Sequence, residues 1–226
     1  LYIIFLFNII YSQWNNDAIC DDLVTKSCTL PWPNDYWLLK DNEYNAIHLN
    51  LSQNNFPIGI DGGKVNPFDY NIFNGFSPLP NILAYFDDLS IDNCARLWNI
   101  SQSNDIDSPV IILHTKTLKR IPHWVELDHS SDKPITGNEP NRTLMIWPAQ
   151  RLVDGDRYIV VLRGLMNNKN GIIQPSELFK NIRDNATNIN DESYMKRLNY
   201  YNTQIFPYLA QNNIDRESLQ LTWDFT

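Results

Sequence analysis

The chain has 226 residues and a formal net charge of −8, a size that suits one large domain or one domain with an appendage. With 18 Lys plus Arg against 26 Asp plus Glu and no basic run, it lacks the electrostatic footprint of a nucleic-acid binder, and an acidic membrane surface would repel it. An apolar fraction of 43% with 12% aromatics supports a real core, while 19% charged residues is below the roughly 25% usual in soluble domains.

The first residues, LYIIFLFNIIYSQ, hold an apolar run from Leu1 to Ile10. A bilayer needs about 20 such residues, so no transmembrane span is expected. The run fits the apolar region of a secretory signal peptide cut after Ser12, or else a buried core strand. No basic segment and no Met precede it, so the start reads as truncated. The expected organisation is a partial signal peptide, residues 1–12, followed by one domain, residues 13–226, in a secreted or surface-held protein. In an oxidising compartment Cys20 and Cys28 are the natural disulfide, which leaves Cys94 free or paired elsewhere. Sequons stand at Asn50, Asn99, Asn141 and Asn185, candidate glycosylation sites once secretion is granted. About three would arise by chance in so asparagine-rich a chain.

After CTLPWPNDYWLL comes a short strand, His48 to Leu51. Residues 52–81 then carry four prolines and four glycines, which forbids long regular structure. Yet Phe56, Phe68, Tyr70, Phe73 and Phe76 also lie here, and a flexible linker would not hold five large aromatics. We expect a long loop packed on the body, with Phe68, Phe73 and Phe76 as a candidate domain interface. Strands are expected at Ile82–Phe86, Val110–His114, His123–Leu127, Leu144–Trp147 and Tyr158–Leu162. The second and third of these would form a hairpin across TKTLKRIP.

In LVDGDRYIVVL, Leu152 and Gly155 precede Tyr158 at the entry to an apolar strand. This is the pattern of a tyrosine corner, in which the phenol bonds the backbone a few residues upstream; an ordinary buried tyrosine is the alternative. An antibody-type domain would place a cysteine where Val160 stands. QPSELFKNIRDN opens a helix at Pro175, and Glu192–Ala210 has one apolar face (Tyr194, Leu198, Tyr201, Ile205) with Pro207 set to kink or end it. The closing LQLTWDFT alternates Leu219, Leu221, Trp223 and Phe225 with polar residues, the period of a half-buried strand. About seven strands predict a mainly β fold, an immunoglobulin- or fibronectin-like β-sandwich with a helical insertion before the last strand.

Reaction motifs are absent: no G-x-S-x-G, HExxH, P-loop or dinucleotide fingerprint occurs. His123 reads as a packed histidine. Asp128-His129 are strand neighbours that point to opposite faces. Asp87-Asp88 and Asp154–Asp156 lack the further oxygen ligands of a calcium loop. Ser77, followed by proline, suits a turn, and no cysteine or histidine spacing suits zinc. No catalytic residue, metal or cofactor is expected in this segment.

Five blocks, LPWPNDYWL (30–38), NGFSPLPNILAYF (74–86), IPHWVELD (121–128), LMIWPAQRLVDGDRYIVVLRGL (144–165) and LQLTWDFT, occur in an order that resembles the N-terminal region of secreted lipase- or esterase-like proteins. Those are known best from bacteria and related to the bacterial virulence-factor lipase N-terminal domain. The resemblance implies a β-rich domain ahead of an α/β-hydrolase domain, its partner in the same chain, with the serine nucleophile, acid and base all beyond Thr226. It implies a strand broken off at Thr226, and it carries no catalytic role to any residue here. The expected function is therefore the non-catalytic domain of a secreted ester hydrolase, lipids among its substrates. The alternative is a glycosylated extracellular binding or spacer module with no hydrolase attached.

Overall fold

The computed structural model describes residues 20–24, 27–41, 46–129 and 142–226. The segment expected to be a signal peptide, Asn141 and the polar loop around it lie outside them. The described chain is rich in β structure, with several antiparallel sheets and a few helices.

Two three-stranded antiparallel sheets form the body. One joins β3 (Ile82–Tyr85), β7 (Thr143–Pro148) and β6 (His123–Leu127), with β7 central. The other joins β5 (Val110–His114), β8 (Tyr158–Arg163) and β10 (Leu219–Phe225), with β8 central. Two small ribbons flank them: β1 (Leu38–Asp41) with β2 (Ala46–Leu49), and β4 (Leu89–Ser90) with β9 (Met166–Asn167). A one-turn helix α1 (Phe68–Asn71) sits in the long loop, and α2 (Glu177–Arg183), α3 (Glu192–Tyr200) and α4 (Phe206–Gln211) stand between β9 and β10.

Side-chain alternation explains the first sheet. Ile82, Ala84, Val125, Leu144 and Ile146 are wholly buried, while their neighbours in β3, β6 and β7 are only half-buried. Each such Ile, Leu or Val contributes about 1.5–3 kcal/mol through burial. The second sheet differs, because β5 and β10 are buried at every position and β8 at all but its last. One apolar core takes in residues of both sheets and of α2, α3 and α4.

The last strand is thus not half-buried, as its period suggests, but covered on both faces. Its polar residues are buried with partners. Gln220 bonds Leu165 and Ile173 backbone, Thr222 Oγ1 donates to Val160 O at 2.6 Å, and Asp224 receives Arg157 and Tyr200. Helices cover that face: Tyr201 on the α3–α4 segment donates to Thr222 O at 2.8 Å. A polar residue in a strand is a surface residue only while nothing satisfies it inside.

Four other expectations change. The segments Val110–His114 and His123–Leu127 begin as a hairpin, with His114 N donating to Lys119 O and Ile121 N to Ile112 O. Pro122 then has no N–H to continue the ladder, and β6 crosses to pair with β7 while β5 pairs with β8. The early strand runs Ala46–Leu49 rather than His48–Leu51, because Leu51 N turns to Asn71 Oδ1 at 2.8 Å. Pro175 precedes its helix, whose cap is Ser176, accepting from Phe179 N. Pro207 lies in the first turn of α4, where a missing N–H costs little; the break falls upstream, in a π-helical turn at Tyr201–Ile205.

Candidate interaction site

The long loop is anchored at several points. Leu49 N donates to Phe73 O at 2.8 Å, and Leu51 and Asn71 exchange bonds of 2.8 and 2.9 Å. Phe76 N donates to Thr226 O at 3.2 Å, and at Gly75 a Cβ would stand 3.0 Å from that same oxygen. A side chain there would press the loop away from the end of β10 by a few tenths of an ångström, a crowding that glycine avoids.

Between this loop, β2, β3 and the β7–β8 connection lies a cleft of about 1220 Å³. Its walls include Trp32, Ile47, Leu49, Phe73, Phe76, Leu83, Leu152 and Phe225, and its polar lining includes Asn74, Asp154, Asp156 and Thr226. Phe73 is 53% exposed, and Leu79 and Val153 across the cleft are 63% and 56% exposed. Phe68, 71% exposed, stands outside the cleft on α1, with Ile58, Ile60 and Ile72 also open to solvent. Of the three interface candidates, then, Phe68 and Phe73 present free apolar surface. Phe76 instead packs edge-on to Trp32 at 5.0 Å and joins the main core to a second cluster around Trp37, Leu38, Leu49 and Leu51.

Tyr158 closes one end of the cleft. Its phenol oxygen accepts a hydrogen bond from Val153 N at 2.9 Å, fastening the link from β7 in one sheet to β8 in the other. Gly155, with φ +68°, makes the intervening turn. The carboxylates of Asp154 and Asp156 have separate partners: Arg151 Nη2 donates to both oxygens of Asp154 at 2.7 Å. Asp156 receives Lys116 and His114 Nε2, the latter at 2.8 Å, and these hydrogen bonds, that from Lys116 foremost, hold its carboxyl below the usual range.

His114 was not singled out by the sequence. It ends an apolar strand 42 residues from its carboxylate, and no local pattern joins them. Its Nδ1 meets Thr117 Oγ1 at 2.7 Å, and its ring stacks on Tyr158 at 5.0 Å. Both ring nitrogens meet the protein's own groups, and the imidazole so clamps the corner.

Beneath the cleft lies a second polar network. Asp35 accepts Thr226 N at 2.8 Å and Thr226 Oγ1 at 2.7 Å. Burial, with the nearby charge of Asp224, pushes the Asp35 carboxyl up to about 7. Arg157 Nε reaches Asp224 at 2.6 Å. Further off, Arg197 forms a two-armed pair with buried Asp21 at 2.8 and 3.0 Å, and Asn34 adds a bond of 2.9 Å.

The remaining residues are placed as follows. Cys20 and Cys28 form a disulfide, and Cys94 is buried with a free thiol pushed up to about 12 by burial. His123 is wholly buried, with Nδ1 3.0 Å from Ile121 O and Nε2 without a partner. Ser77 Oγ accepts Leu79 N, a turn contact. Asn99 and Asn185 are exposed and Asn50 is half-buried. Among the described residues no group of three His, Cys, Asp or Glu side chains could hold a metal ion, and no helix is long and apolar enough to cross a membrane.

Comparison with models of known families, with curated proteins and with solved structures finds no match.

Proposed function

We propose that this chain is an immunoglobulin-like sandwich domain of a secreted serine hydrolase acting on esters, and that its aromatic rim seats the catalytic domain of the same protein. Topology supports the sandwich. In that fold one sheet has the order B-E-D and the other C-F-G, and the orders β3-β7-β6 and β5-β8-β10 match them strand for strand in chain order. Trp32 exchanges backbone bonds of 2.9 and 2.6 Å with Leu83, in the place of strand A. Tyr158 stands at the start of strand F, where a tyrosine corner belongs. The helices α2 to α4 then form an insertion between F and G.

The observation that carries the functional reading is exposed apolar surface: Phe73, Leu79 and Val153 line the cleft and Phe68 stands outside it on α1, all more than half exposed, while the cleft's carboxylates Asp154 and Asp156 are already paired. Such a surface suits a large apolar protein face better than a polar ligand. The five sequence blocks supply the identity of the partner as a hydrolase domain. Secretion accords with the Cys20–Cys28 disulfide.

The test uses the full-length protein and a chromogenic short-chain ester. Phe68→Ser with Phe73→Ser should lower turnover about tenfold, the effect of losing about 1.4 kcal/mol of domain contact, or split one unfolding transition into two. Unchanged turnover and unfolding would overturn the interface. A full-length protein with no ester hydrolysis would favour the extracellular binding module.

A further inference from the structure

A second apolar surface stands elsewhere on the molecule. The 3-10 segment Leu97–Asn104 begins with Leu97, 57% exposed, and Trp98, 81% exposed. The Arg96 guanidinium lies over the Trp98 ring at 5.3 Å, which leaves the opposite face of the indole open. The next residue, Asn99, opens the sequon Asn99-Ile100-Ser101 and interrupts the helix with φ −142° and ψ 50°. Its side-chain bonds are local and exposed: Nδ2 donates to Gln102 Oε1 at 3.2 Å, and Ser101 Oγ donates to Oδ1 at 3.2 Å. Water replaces such bonds at little cost.

The other described sequons differ. Asn50 is half-buried between buried Leu49 and Leu51. Asn185 is exposed, but it already has a structural reason: with φ +57° it follows the C-cap of α2, a position that favours asparagine, and its Oδ1 accepts from Asn202 at 2.9 Å. The Asn99 side chain bonds Ser101 and Gln102, two and three residues on and in exposed contacts, and a tryptophan 81% exposed adjoins it.

We propose that Asn99 carries an N-linked glycan whose first N-acetylglucosamine rests on the open face of Trp98. The reading rests on secretion of the protein. In the transfer, Asn99 Nδ2 bonds to C1 of an oligosaccharide carried on a lipid diphosphate. The C1–phosphate bond breaks, and the amide proton leaves with the lipid diphosphate. Transfer takes place on the extended chain, so the fold decides only what the sugar then covers. The apolar C–H face of a pyranose suits an indole face, and stacking there removes from water the surface that otherwise has no partner.

The test is to express the full-length protein in a eukaryotic secretory host and determine occupancy at each sequon by glycopeptide mass. Melting temperatures are then compared for wild type, Asn99→Gln, Trp98→Ala and the double variant. The expected result is a glycan at Asn99 and a fall of about 2–4 °C on Asn99→Gln that vanishes in the Trp98→Ala background. Occupied Asn185 with empty Asn99, or an equal fall in both backgrounds, would overturn the proposal while leaving secretion standing. A protein bearing no glycan at any sequon would overturn this proposal, while the secreted reading is tested separately by whether the full-length protein reaches the medium.

Discussion

His123 makes the stability of this protein depend on pH in a calculable way. The ring is wholly buried in β6, its Nδ1–H donates to Ile121 O at 3.0 Å, and nothing meets Nε2. Charging it means placing a cation where no acceptor waits, and burial accordingly pushes its pKa from 6.5 down to about 4. Above pH 6.5 the ring is neutral in both states and the stability is complete. As pH falls from 6.5 towards 4, the unfolded chain takes the proton and the native state does not, so stability is lost. A gap of about 2.5 pH units corresponds to about 3 kcal/mol.

Asp35 acts in the opposite direction, since its folded value of about 7 lies above the ordinary 3.8. Its contribution is full below 3.8 and is lost as pH rises through 7. The wild-type curve alone therefore mixes the two. Comparing wild type with His123→Leu cancels Asp35. Urea unfolding followed by tryptophan fluorescence, from pH 7.5 to pH 4, should show the difference between the two proteins shift by about 3 kcal/mol in favour of the variant at low pH. A difference that stays constant across that range would refute the reasoning, because it would mean that the native ring accepts its proton without penalty.

Two further outcomes follow from buried polar contacts. Arg197→Met strands the Asp21 carboxylate, which is 1% exposed, and should cost about 3–5 kcal/mol in urea unfolding; Asp21→Leu with Arg197→Met should recover much of it. Tyr158→Phe removes the acceptor of Val153 N and should cost about 1 kcal/mol, read as a lower unfolding midpoint with an unchanged slope.

Much of the local structure was legible from residue pattern. Val110–His114 and Tyr158–Arg163 are runs of β-branched and aromatic residues bounded by turns, and Ile82, Ala84, Leu144 and Ile146 alternate as one face of a sheet must. Cys20 and Cys28 are separated by only eight positions, so geometry alone brings them near. The aromatics of the loop announced that it packs, but not which of them would stay outside. Phe76 and Phe73 are three residues apart in the same loop; Phe76 packs on Trp32, whereas Phe73 stays 53% exposed.

What composition, spacing and alternation determined, then, was roughly which stretches form the main strands and helices and which residues alternate within them. Only the tertiary structure decided what each face meets. The pairing of β5 with β8 instead of β6 follows from Pro122 and from the register each strand finds across the sheet. Gln220, Thr222 and Asp224 are inside because partners reach them there: the backbone of Leu165, Ile173 and Val160, and the side chains of Arg157 and Tyr200. Asp21 meets Arg197 across 176 positions, and Asp156 meets His114 across 42. Period-2 and period-3.6 patterns are set by backbone geometry within a few residues, whereas burial of a polar group depends on a distant donor or acceptor reaching it, and no local pattern encodes that arrival.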